Sequence, residues 1–102
     1  MRIIDAHQHF WDPRSMYYPL LRGADSYLPA DYLRDTRGHN VSGTVHIEGA
    51  HDPDDPVGEA RWLHQQSDTW GLPSAVVGYA DLRDPALADV LDAHLSYPEV
   101  RG

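Results

Sequence analysis

The sequence predicts an α/β chain built on a parallel sheet, and three observations lead there. Short apolar runs of strand length alternate with stretches of helical periodicity, in the order strand, helix, strand, helix, strand, helix. That order implies right-handed crossovers and parallel neighbours. The two longer helical stretches each open on an Asp-Pro pair, the punctuation of a helix start. A doubly wound sheet and an eight-fold barrel both begin this way. The turn after the first strand, "DAHQHFWDP", contains no glycine, which argues against the dinucleotide-binding form of the doubly wound sheet.

The elements follow in order. Residues 3–9 read as the first strand. A loop rich in proline and aromatics, "FWDPRSMYYPLLRGADSYLP", leads to a short helical segment at 30–37. "GTVHIEG", at 43–49, is a second strand bounded by glycines. In the next helix Asp55 is the expected cap, Pro56 suits the first helical position, and Gly71 with Pro73 closes it. Val57, Ala60, Leu63 with Trp62, Ser67 and Trp70 supply its mostly apolar face. "SAVVGYAD", at 74–81, is a third strand, apolar through much of its length as doubly covered strands tend to be. In the last helix Asp84 caps, Pro85 starts, and Leu87, Val90, Leu91 and Leu95 form the expected buried stripe. "EVRG", at 99–102, looks like the opening of a fourth strand.

Composition narrows the function. The chain has 102 residues, a net charge of −8 and no cysteine, which excludes thiolate chemistry and a disulfide framework and fits a cytoplasmic location. All eight basic residues are arginines, so a Schiff-base or phosphate-loop lysine is excluded within the chain. They are scattered and outnumbered, which argues against nucleic acid as a partner. No window approaches the roughly 18 apolar residues of a membrane span, and the N-terminus lacks the pattern of a signal peptide.

The residues that carry chemistry stand at the end of the first strand. Alternation puts residues i and i+2 on one face, so His7 and His9 are expected to point together, with Asp5 and Ile3 behind them. If that face looks into a barrel, both imidazoles sit near the carboxyl end of the strand, where parallel barrels build their active sites. Two neutral imidazoles on rigid backbone suit one borderline divalent cation, zinc above all. The plainer reading of a bare H-x-H is two histidines on a solvent-facing strand end. Here the motif is D-x-H-x-H, it ends the first strand, and it lies at the extreme N-terminus.

"IIDAHQHFWDP" resembles the opening of the amidohydrolase superfamily, whose first barrel strand carries an H-x-H metal motif. "YYPLL", "GTVHIEGAHDPDDPVGEARWL", "GLPSAVVGYADLRDP" and "VRG" are similar to the amidohydrolase-related (amidohydrolase 2) group, which includes sugar-lactone and pyrone-dicarboxylate lactonases. The resemblance implies about three βα units of a TIM (β/α)₈ barrel, with residues 1–102 as the N-terminal part of a single domain. A barrel needs about 250 residues, so the expectation is part of a longer enzyme, inactive alone. Bare sheet edges further predict that it associates with copies of itself or stays partly molten. The implied substrate is a small lactone or related cyclic ester or amide. His7 and His9 match the family's metal pair, with zinc the first choice; some lactonases of the group work without a bound metal. The family's middle-strand histidine and strand-eight aspartate have no counterpart here. The rival expectations are a metal-dependent phosphoesterase or nuclease on a related barrel, and a non-catalytic remnant.

Other residues offer weaker signals. His46 and Glu48 repeat the i, i+2 pattern on the second strand and are expected to enter the same cavity, with Glu48 as a catalytic, metal-binding or substrate-binding carboxylate. A carboxylate paired with arginine is the equal alternative. Asp52, Asp54, Asp55 and Glu59 lack the calcium-loop pattern and read as helix capping and a solvated turn. Trp11, Tyr17 and Tyr18 either wall the pocket or pack on the rim. His39, His51, His64 and His94, in loops or on helices, read as non-ligands.

Overall fold

The alternation of apolar runs sets the architecture, with boundaries shifted by a few residues. A computed structural model describes residues 1–102. The elements are β1 (Ile3–Gln8), α1 (Pro29–Asp35), β2 (Val41–Ile47), α2 (Gly58–Trp70), β3 (Ala75–Val77) and α3 (Leu87–Leu95). The strands form one sheet in the order β1-β2-β3, both pairs parallel. The segment at 99–102 lies as a parallel neighbour of β3: Val100 bridges Val76, whose N–H donates to the Glu99 carbonyl, and the Arg101 N–H donates back to the Val76 carbonyl.

The helix ends show which local signals hold. Pro29 opens α1, and the Asp31 carboxylate reaches back to the Leu28 N–H at 2.8 Å. Gly71 closes α2 in the left-handed conformation, φ 76°, where a glycine meets no steric cost. Asp55 does not cap α2 with its side chain. Its carbonyl takes the Gly58 N–H, making a turn through Pro56 and Val57, so the helix begins at Gly58. The Asp55 carboxylate is directed to Arg61 instead, at 3.7 Å. Asp84 likewise stands outside its helix: its carboxylate accepts the Ala86 N–H at 2.8 Å, its carbonyl takes the Leu87 N–H, and α3 starts at Leu87 rather than at Pro85.

The core lies between the sheet and the first two helices. Phe10, Tyr32, Leu63, Leu72 and Val76 form it, with Tyr27, Val41, Trp62 and Val100 packed against it. Burying side chains of this size contributes roughly 1.5–3 kcal/mol each. Two expected stripes are only partly realised. Trp70, the last residue of α2, is 47% exposed, while Glu59 is buried on that helix. On α3, Leu91 and Leu95 are exposed, Leu87 and Val90 half-buried, and only His94 is buried, its Nε2 2.8 Å from the Tyr79 carbonyl just past β3. Leu82, Leu91, Leu95 and Val100 line an open cavity of about 590 Å³ beside it. No helix is long and apolar enough to cross a membrane.

Candidate active site

β1 and β2 are not in uniform register, and this decides where the first-strand side chains point. Asp5 pairs with Thr44 and Gln8 with His46, three steps along β1 against two along β2. The extra residue breaks the alternation, as a bulge does. Asp5 is therefore not behind the two histidines. It turns to the helix layer, where its carboxylate accepts the Tyr32 hydroxyl at 2.9 Å. Burial, and then this bond, push the Tyr32 phenol up to about 12.

His7 and His9 do come together. Their ring centroids are 5.2 Å apart and nearly perpendicular. His7 is exposed and His9 half-buried. The Nδ1 of His9 lies 2.7 Å from the carbonyl oxygen of Ile47. A carbonyl only accepts, so Nδ1 carries the proton and Nε2 keeps its lone pair. A histidine that ligates a metal is oriented in this way, its second nitrogen donating to a backbone carbonyl. The pair fits a shared cation as two ligands of a larger set; it belongs to no group of three clustered His, Asp or Glu donors.

Glu48 follows directly on β2. Its N–H donates to the Val77 carbonyl, and its carboxylate takes the N–H of Ala50, which has φ 56°. His9, Trp11, Leu21, Glu48, Gly49 and Ala50 line a cavity of about 270 Å³. Trp11 is fixed there by its indole N–H, which donates to the Asp25 carbonyl at 2.7 Å. Tyr17 and Tyr18 stand apart from this cavity. Tyr18 is buried, its hydroxyl near Met16 and the Asp12 N–H, and Tyr17 lines a separate cleft with His51 and Asp55.

His46 does not share the cavity with Glu48. It is fully buried, its ring 6.3 Å from that of Phe10 and 5.9 Å from that of His9, and it does not line that cavity. Its Nδ1 accepts the Phe10 N–H at 3.1 Å, so Nε2 bears the proton and lies 3.3 Å from Glu59, off the ideal hydrogen-bond line. Glu59, itself 4% exposed, accepts the Gly49 N–H at 3.0 Å. Glu59 is thus no part of a solvated turn. It braces the loop that carries Glu48, and through His46 the backbone just past His9. The signal was there to be read: Glu59 stands four residues before Leu63, on the buried stripe of α2.

The chain is 38% identical to a protein described as uncharacterized, y4mH of Sinorhizobium fredii, over 113 aligned residues that cover 98% of this chain and 38% of that protein. No family model matches, and no solved structure matches. The chain is also 31% identical, over 91 residues, to the L-fucono-1,5-lactonase of Burkholderia multivorans. It spans about a third of the length of these curated relatives. Over 84% of its own length the chain is therefore similar to a segment, 29%, of a protein named as a lactonase.

Proposed function

We propose that this chain forms part of a hydrolase that opens a lactone of a sugar acid or a related carboxylate. The reading is supported by the similarity to an L-fucono-1,5-lactonase. The observation that carries it is the pair His7 and His9, 5.2 Å apart, with His9 held so that its Nε2 is free beside the Glu48 cavity. The proposal includes the barrel: the three βα units here are one part of an eight-fold barrel, which needs about 250 residues.

In the reaction, water adds to the lactone carbonyl, the ring C–O bond breaks, and the departing ring oxygen takes a proton. His7 and His9 would hold a divalent cation, with zinc the first choice on ligand type, and its presence would supply a lowered pKa of water or a polarised carbonyl. The remaining work falls to the chain's own groups. The Ile47 carbonyl fixes the tautomer of His9. Trp11 and Leu21 give the cavity an apolar wall on which a sugar ring can lie, and the Glu48 carboxylate accepts hydrogen bonds from its hydroxyls. Without metal, the His7 imidazole can donate to the oxyanion, while His9, whose Nε2 keeps its lone pair, can accept a proton from the attacking water.

The test is hydrolysis across a panel of sugar lactones by the intact polypeptide that carries this chain, with metal content measured after dialysis and activity before and after chelation. The expected result is lactone turnover, with His7→Ala and His9→Ala each losing most metal and activity while the fold persists. Absence of turnover on every lactone sinks the reaction; unchanged metal in both variants sinks the ligand assignment.

A further inference from the structure

One other place gathers metal-ligating side chains from separate elements, on the helix side of the sheet. His64 and Asp68 stand four residues apart on α2, hence on one helical face. Glu99 comes from the segment that pairs with β3. The three offer ligand atoms that all lie within 4.8 Å of one another. His64 Nδ1 is 3.0 Å from both Glu99 oxygens, and Nε2 is 3.6 Å from Asp68.

Two of the donors are held before any ligand arrives. The Glu99 carbonyl accepts the Val76 N–H, and its side chain is only 13% exposed, facing the imidazole. The Tyr97 ring lies 5.4 Å from that of His64 and restricts its rotation. Asp68, 71% exposed, leaves one side open to solvent. Two carboxylates face one imidazole, and histidine is the only ion-pair partner of either. Glu99 stands at Nδ1 and Asp68 nearest Nε2, so a shared cation would take Nδ1 and Glu99 and draw the exposed Asp68 carboxylate across; one nitrogen and two carboxylate oxygens with an open position are a donor set that suits zinc.

We propose that His64, Asp68 and Glu99 form a second divalent-cation site, separate from His7 and His9, whose occupancy clamps α2 to the segment at 99–102. In sequence, His64 alone reads as a non-ligand. A shared helical face is visible in sequence; the arrival of Glu99 beside it is not.

The test removes the first site and titrates the second. Zinc chloride is titrated by calorimetry into the full chain carrying His7→Ala and His9→Ala. The expected result is one zinc per chain with a Kd of about 10 μM or tighter, weakened at least about tenfold by adding Asp68→Asn. Asp68 is exposed, so that change leaves the fold intact, which circular dichroism checks. Zinc should also raise the melting temperature of the parent, and not of the Asp68→Asn variant. No binding up to about 1 mM zinc, or binding unchanged by both Asp68→Asn and His64→Gln, overturns the site. Because His7 and His9 are absent throughout, either outcome leaves the lactonase reading untouched.

Discussion

At the scale of single residues, Glu48 and Glu59 separate the chemistry of the site from its support. Both are carboxylates on or near the same loop, and they differ in what they touch. Glu48 lines the cavity with His9 and spends one oxygen on the Ala50 N–H. Glu48→Gln keeps the shape and deletes the charge. If Glu48 binds substrate or metal, lactone turnover should fall at least about tenfold, roughly 1.4 kcal/mol, while stability stays within about 0.5 kcal/mol. Steady-state kinetics and a urea titration check the two halves, and turnover within twofold of the parent returns Glu48 to a structural role. His9 needs its neighbour less than its carbonyl: the spacing H-x-H is in the sequence, but the free Nε2 follows from the Ile47 oxygen.

At the scale of elements, the contact between α2 and the end of β2 runs through one buried carboxylate. Glu59→Ala leaves the Gly49 N–H without its acceptor, removes the carboxylate that faces His46 Nε2 and opens a small void. The expected cost is about 2–4 kcal/mol, read as a lower urea midpoint with unchanged slope. A loss below about 0.5 kcal/mol would show that His46 and Gly49 find other partners. Helix ends were legible where one residue's conformation decides, as at Gly71. They were not legible at Asp55, whose carboxylate had two suitors a few residues on, the α2 N-terminus and Arg61. The two-residue shift of β2, to Val41–Ile47, has the same origin: pairing with Ile3 recruits Val41 ahead of the expected glycine boundary.

At the scale of the whole molecule, the chain is an open slab. It measures 46 × 30 × 20 Å with a radius of gyration of 13.9 Å, against about 13 Å for a compact domain of this length. Its accessible surface is 6344 Å², where a globular monomer of 11.5 kDa exposes about 5,800 Å². The excess is apolar in part: Ile4 on the open sheet face, and Leu82 and Leu95 around the cavity by α3, are 53%, 80% and 73% exposed. The isolated chain should therefore associate, with a mass by light scattering above that of one chain and rising with concentration, and Leu95→Glu should shift it towards the monomer. A compact monomer at all concentrations would refute this.

The sequence by itself determined the alternation of strands and helices, the parallel neighbour at 99–102, the histidine pair and the glycine cap of α2. These follow from periodicity and from the conformational limits of glycine and proline, which act within a few residues. Only the tertiary structure decided that Asp5 leaves the histidine face for Tyr32, that His46 is buried against Glu59 while Glu48 meets His9, and that Glu99 reaches His64. Each of these depends on register between segments tens of residues apart. A one-residue slip in β1 moves a side chain from one face of the sheet to the other, and no local rule of the sequence carries that information.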